Sequence, residues 1–232
     1  MSAKKIIKIS LGVLVFFTLP SLLFFGFVYF KYSEKRPESN PSQAADSLAL
    51  NMLKALDYNA YNSTNYIEWT FKKRHHYQWN KAEQSCKVFW KNIQVNLNFK
   101  DLSNSTVLMN NKAVPQALVQ EYITTALDYF NTDSFWLIAP YTVFDKGVTR
   151  SLATVNNKSG LLVTYAPNEA YFWLLDNNYR PYAFNMWTPL FPIDGIEASW
   201  QDWTTTATGA QFPTFHNIFT FGFEITDLKT DF

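Results

Sequence analysis

The clearest secondary-structure signal in the chain is the stretch IQVNLNFK, residues 93–100. Its apolar residues Ile93, Val95, Leu97 and Phe99 occupy every second position, and polar residues fill the positions between them. Because successive side chains of a strand point to opposite faces, this alternation predicts a half-buried strand of an antiparallel sheet. The stretch therefore predicts a sheet with one face on a core and the other in water.

Similar segments occur on both sides of this strand, and several are separated by turn residues such as Asn, Asp and Gly. Together they predict a β-rich domain of about ten strands, without internal repeats. The candidate segments are 65–71, 75–79, 87–92, 93–100, 106–109, 151–155, 161–165, 171–175, 182–187, 196–200, 203–208 and 214–225.

Helical periodicity occurs in two places between the predicted strands. Residues 43–57 carry apolar side chains at helical spacing, which predicts an amphipathic helix. A second helix is predicted to begin at Pro115 and to run to about Asn131, because proline is favoured in the first turn. Asp133 is predicted to cap a further short helix over residues 134–139.

The amino-terminal region contains a long apolar run, ISLGVLVFFTLPSLLFFGFVYF, at residues 9–30. A helix of that length spans about 33 Å, which matches the hydrocarbon core of a bilayer. We predict an uncleaved signal anchor at 9–30, a short cytoplasmic basic segment at 1–8 and a linker at 31–42. The predicted location is the inner (cytoplasmic) membrane, crossed once, with the carboxyl-terminal domain in the periplasm. A long cleaved signal peptide is the alternative interpretation.

Charge and glycine content exclude several function classes. Six of the 20 basic residues but one of the 19 acidic residues lie within the first 37 positions, so the remaining chain is net negative. A nucleic-acid groove needs an excess of Lys and Arg, and only Lys72-Lys73-Arg74 forms a basic cluster there. The seven glycines form no G-x-G pattern, which excludes the common nucleotide-binding fingerprints. We therefore expect no nucleic-acid partner.

Residues suited to catalysis or metal binding are scarce. Cys86 is the single cysteine, and the three histidines, His75, His76 and His216, show no metal-site spacing. We predict no catalytic residue, no metal site and no cofactor. Glu197 and Asp202 flank Trp200, an arrangement used in sugar sites, and this leaves a carbohydrate-active enzyme as a weaker alternative.

Aromatic residues are the strongest functional signal. All eight tryptophans follow residue 42, and residues 171–175 (YFWLL) are apolar at every position, so both faces of that strand should be covered. A strongly curved sheet with large apolar side chains on its concave face encloses either a packed core or a lipid-sized cavity. The candidate cavity-lining residues, taken from alternating strand positions, are Trp69, Phe71, Leu97, Phe99, Trp173, Leu175, Phe184 and Met186.

The order of these elements resembles the bacterial lipoprotein-carrier and lipoprotein-receptor superfamily (LolA/LolB-like). The most similar segments are DSFWLIAP at 133–140 with DKGV at 145–148, YFWLLDNNYRP at 171–181, and the hairpin at 200–213. The resemblance covers about 43–232. It implies an α+β fold: a single strongly curved antiparallel sheet forming a half-open barrel, covered by two or three helices and here preceded by one transmembrane helix.

The resemblance also implies binding of acyl chains, but this chain departs from the superfamily in its anchor. Soluble carriers lose their signal peptide, whereas this chain keeps an apolar helix, and it has no cysteine for a lipid anchor. A tethered domain does not shuttle between two membranes. We therefore predict a non-enzymatic, membrane-anchored envelope protein that binds a lipid, an acyl chain or a lipoprotein. A structural or regulatory protein-interaction domain with a packed core is the alternative, and the oligomeric state stays open.

Overall fold

A computed structural model describes residues 3–232, which form four α-helices and fourteen β-strands. Met1 and Ser2, the start of the predicted basic segment, lie outside the described residues. The helices are α1 (Ala3–Tyr32), α2 (Gln43–Ala55), α3 (Tyr58–Ser63) and α4 (Gln116–Ile138). The strands of the first half are β1 (Tyr66–Phe71), β2 (His75–Asn80), β3 (Ser85–Trp90), β4 (Ile93–Asn98), β5 (Thr106–Met109) and β6 (Lys112–Ala113). Those of the second half are β7 (Thr149–Val155), β8 (Lys158–Ala166), β9 (Glu169–Leu175), β10 (Pro181–Trp187), β11 (Ile196–Ser199), β12 (Gln201–Thr205), β13 (Gln211–Ile218) and β14 (Phe221–Asp231).

All of these strands belong to one curved antiparallel sheet, in the order β6-β5-β4-β3-β2-β1-β14-β13-β11-β10-β9-β8-β7, with β12 paired to β13. The two halves of the chain meet where β14 pairs with β1, at Tyr66 opposite Asp231. Within the described residues, the edge strands β6 and β7 are not paired with each other, so the sheet is a half-open barrel. The predicted fold class is confirmed.

The main hydrophobic core lies between the concave face of the sheet and the helices α2 and α4. Strand β4 alternates between buried and half-buried positions, as its sequence predicts. From α4, Ile123, Ala126, Phe130 and Leu137 are buried against the sheet. Each large apolar side chain buried in this way stabilises the fold by about 1.5–3 kcal/mol.

A second, smaller core lies on the opposite face of β7–β10, so both faces of β9 are covered, as predicted. The segment 33–41 lies along this side of the sheet. The backbone oxygen of Glu34 accepts a hydrogen bond from Trp187 Nε1 at 2.7 Å, and the Arg36 guanidinium donates to Thr164 Oγ1 at 2.7 Å. The Glu34 amide donates to the carbonyl of Asp194 at 2.8 Å. The segment therefore packs against the folded domain, while its role as a linker stays a prediction.

These contacts predict that the segment contributes to stability. A fragment of residues 33–232 should unfold with a free energy about 2–4 kcal/mol higher than a fragment of residues 42–232. The shorter fragment loses five hydrogen bonds, because Arg36 also donates to the carbonyl of Pro167 and the Ser39 and Ser151 hydroxyls are 2.7 Å apart. Four of them are exposed or only part-buried, so each is taken near the lower end of about 0.5–1.5 kcal/mol. Urea denaturation of both fragments measures the difference. The control is the longer fragment with Arg36→Gln, which should fall between the two. Equal midpoints for the two fragments would show that the segment adds nothing.

The two largest differences from the predicted element boundaries are in α4 and at the β13–β14 turn. Helix α4 runs without interruption to Ile138, so Asp133 caps no second helix; it is buried and hydrogen-bonded to strand β2 instead. The predicted strand 214–225 is two strands, β13 and β14, joined at Phe219 and Thr220. Phe219 adopts a left-handed backbone, with φ of 54°, although neither turn residue is Gly or Asn. The sequence therefore carried no ordinary turn signal there.

Candidate functional site

The eight predicted cavity-lining residues all lie in or against the core on the concave face. Six are buried, whereas Phe99 and Leu175 are half-buried. They form two groups: Phe99 packs on Phe130 of α4 at 4.9 Å between ring centroids, and Trp173 stacks on Phe184 at 5.3 Å. The structure thus packs these residues against each other and α4, and their lining of a ligand cavity stays a prediction. The six buried residues are Trp69, Phe71, Leu97, Trp173, Phe184 and Met186.

An apolar recess of about 290 Å³ lies at one end of this core. It is formed by the loop between β10 and β11, the β13–β14 turn and the β1–β2 turn. The sequence did not predict this recess, because the residues of the β13–β14 turn fall in the middle of the strand predicted at 214–225. Its lining residues are Lys72, Phe191, Pro192, Ile193, Ile196, Ile218, Phe219, Phe221 and Phe223. We call this feature the apolar recess.

A continuous series of ring contacts connects the apolar recess with the core. Phe223 lies 5.2 Å from His216, His216 lies 4.9 Å from Trp200, and Trp200 stacks on Trp173 at 5.4 Å, all between ring centroids. Because Phe223 lines the recess and Trp173 is a predicted lining residue, the recess is the outer end of the same aromatic cluster.

The apolar recess lies beside the end of helix α1. Within the described residues, α1 contains the one helical segment, Ile7–Tyr32, that is long and apolar enough to cross a membrane. The ring of Phe219 is 4.8 Å from that of Tyr32, the last residue of α1. Leu190, in the loop between β10 and β11, is 65% exposed, and Phe221, the first residue of β14, is 75% exposed. Clustered exposed apolar side chains mark a contact surface for a membrane or a partner.

The basic turn, Lys72–Arg74, borders the apolar recess. Lys72 Nζ lies 4.1 Å from the ring centroid of Phe223 and 5.0 Å from that of Phe71. Lys72 is exposed as a residue, but partial burial of its ammonium lowers its pKa. The negative charge of nearby Asp133 opposes this lowering, and the positive charge of Arg74 adds to it. A second, more open depression of about 600 Å³ is lined by Lys72 together with Lys73 and Arg74.

A buried polar contact holds α4 on the sheet. The Tyr77 hydroxyl donates a hydrogen bond to Asp133 Oδ2 at 2.6 Å, and His75 Nδ1 lies 2.7 Å from the same oxygen. Burial, followed by the Asp133 charge, raises the pKa of Tyr77, so its hydroxyl stays a donor. The His75 side chain is half-buried and stacks on Tyr129 of α4, with 4.0 Å between the ring centroids.

The other candidates for chemistry are poorly placed for it. Burial lowers the pKa of His216 to about 4, so this histidine is neutral at physiological pH. Burial also raises the pKa of the Cys86 thiol. Glu197 and Asp202 are exposed, and Glu197 lies 3.5 Å from Lys158 Nζ. Among residues 3–232, no three His, Cys, Asp or Glu side chains are grouped as a metal site would require.

Comparisons with known proteins return structural similarity alone. No family model matches the sequence, and no curated protein matches it. A LolA superfamily protein from Nitrosomonas europaea is similar at 12% identity, with 81% of this chain and 94% of that chain covered and a TM-score of 0.41. A putative outer membrane lipoprotein-sorting protein domain from Vibrio parahaemolyticus is similar at 7% identity, with 79% and 93% covered and a TM-score of 0.36. The first description names the superfamily that the sequence layout resembles.

Proposed function

We propose that this chain is a single-pass, membrane-anchored envelope protein whose folded domain binds an apolar ligand without catalysing a reaction. The ligand class is the acyl chain of a lipid or of a lipid-modified protein. The observation that carries the proposal is the position of the apolar recess, which adjoins the aromatic core through Phe223 and lies beside the end of the apolar helix α1. In this proposal α1 crosses the inner membrane and the domain lies in the periplasm.

An acyl chain would enter at the apolar recess and extend toward Trp173. The recess volume is near the lower end of ordinary ligand sites, roughly 300–1,000 Å³. A longer ligand therefore requires α4 to move away from the concave face, after which the eight predicted lining residues would contact it. Three buried indole N–H groups of the core, those of Trp69, Trp173 and Trp200, have no hydrogen-bond partner among residues 3–232. An ester or carboxyl oxygen of a ligand would satisfy such a donor.

The pKa shifts of Cys86 and His216 favour binding over catalysis. A nucleophilic cysteine needs a lowered pKa, whereas burial raises the pKa of Cys86. A general base works best with a pKa near the operating pH, whereas that of His216 is lowered to about 4. Both groups therefore serve packing in this proposal.

The alternative function is a structural or regulatory protein-interaction domain. The observation in its favour is the dense packing of the predicted lining residues, of which Trp69, Trp173 and Phe184 are fully buried. In that case the exposed Leu190 and Phe221 would contact a protein partner.

A fluorescent fatty-acid probe distinguishes the two functions. The full-length chain in detergent is expected to bind the probe, and Ile193→Asn in the apolar recess should weaken binding about tenfold, because a polar amide replaces an apolar contact. The matched control is Leu152→Asn, at an exposed position of β7 away from the recess. A folded wild-type chain that does not bind the probe would refute the proposal and favour the protein-interaction domain.

A further inference from the structure

We infer that the apolar recess and the basic turn form one composite site, and that this site binds an anionic phospholipid of the membrane that holds α1. The inference rests on the proposed function and names its ligand: the acyl chain occupies the recess, and the phosphate-bearing headgroup contacts Lys72 and Arg74.

The charges of the basic turn are available for an anion. Lys73 Nζ is paired with Glu224 at 2.5 Å. Within the described residues, neither Lys72 nor Arg74 forms an ion pair, and the Lys72 ammonium lies against the rings of Phe71 and Phe223 instead. The partial burial that lowers the Lys72 pKa also leaves its charge less hydrated than that of a free lysine. A phosphate within reach would stabilise that charge.

The two halves of the site are contiguous. Lys72, Phe221 and Phe223 line both the apolar recess and the open depression that contains Arg74. A single amphiphilic molecule can therefore occupy the recess and the depression together, with its negative end at the basic turn and its apolar end in the recess.

The position of the site indicates the source of the ligand. Phe219 lines the recess with Lys72 and contacts Tyr32, where α1 ends. The end of a membrane-spanning helix lies at the interface, where tyrosine is favoured and lipid phosphates are found. Lys31, next to Tyr32, adds a cation at the same level. The headgroup phosphates of the leaflet around this end of α1 thus lie at the entrance of the recess.

Native mass spectrometry of the full-length chain tests the inference. The protein, in a neutral detergent, is titrated with phosphatidylglycerol or with phosphatidylcholine carrying the same acyl chains. We expect the anionic lipid to bind about five- to tenfold more tightly. Lys72→Gln with Arg74→Gln should remove this preference, because phosphatidylglycerol loses more affinity than phosphatidylcholine, whose phosphate charge is compensated by its own choline cation. The matched control is Lys87→Gln with Lys112→Gln, which removes the same charge from exposed positions of β3 and β6 and should keep the preference.

The outcomes separate this inference from the proposed function. Equal binding of the two lipids by the wild-type chain, or an unchanged preference in the Lys72/Arg74 variant, overturns the inference while the proposed function stands. Retention of neither lipid by the folded wild-type chain overturns both. Loss of the preference in the control variant as well would indicate a general effect of net charge and would also overturn the composite site.

Discussion

Replacing Trp173 with alanine is expected to lower the free energy of unfolding by about 3–5 kcal/mol. Its side chain is fully buried and stacks on Phe184 at 5.3 Å and on Trp200 at 5.4 Å. The substitution removes these contacts and leaves a cavity that the surrounding rings fill only in part. Chemical denaturation of the full-length chain in detergent measures the loss.

The control for this variant is Tyr182→Ala on the neighbouring strand β10. Tyr182 is 45% exposed, so its loss should cost less than about 1 kcal/mol. A loss at Trp173 as small as that at Tyr182 would mean that the aromatic core is already loosely packed. If Trp173→Ala also alters the affinity of the fatty-acid probe, Trp173 lies on the ligand path. A large stability loss in a protein that binds no probe would leave the packed-core alternative.

Replacing Asp133 with alanine is expected to cost about 3 kcal/mol of stability, because it leaves buried polar partners unsatisfied. The carboxylate of Asp133 is buried and accepts the hydrogen bond of Tyr77 at 2.6 Å, with His75 Nδ1 at 2.7 Å. These contacts connect α4 to β2. Thermal unfolding monitored by near-ultraviolet circular dichroism measures the effect. This signal reports the packing of tryptophan and tyrosine side chains, which changes when α4 leaves the sheet.

The control for Asp133 is Asp128→Ala on the same helix, because Asp128 is exposed. Its loss should be within about 0.5 kcal/mol of the wild type. Asp133→Asn retains an acceptor oxygen for Tyr77 and should lose less stability than Asp133→Ala. If all three variants unfold alike, the Asp133 contact does not hold α4 on the sheet.

Much of the architecture follows from short-range patterns in the chain. The alternation at residues 93–100 predicted β4, and the uniformly apolar run at 171–175 predicted a strand covered on both faces. The apolar run at residues 9–30 lies within α1. These predictions succeed because the period of apolar residues reports which face of an element is buried, and that period is a local property.

The contacts that position the candidate site could not be predicted from local sequence patterns. The turn at Phe219 looked like part of a strand, because no Gly or Asn marks its left-handed residue. Asp133 looked like a helix cap, because its partners Tyr77 and His75 belong to another element. The basic turn was visible in the sequence only as a basic cluster, because its neighbours Phe221 and Phe223 come from the far end of the chain.

The composition and periodicity of this chain were therefore sufficient for an apolar helix followed by a β-rich antiparallel domain with two helical segments. The half-open curvature of the sheet was implied by the resemblance of the element order to the lipoprotein-carrier superfamily. The apolar recess, the basic turn beside it and the packing of residues 33–41 on the outer face arise only in the folded chain. Each depends on contacts between distant residues, such as Glu34 with Trp187, which are 153 positions apart. Such contacts are selected by the global packing of the sheet, and no local pattern of side chains encodes them.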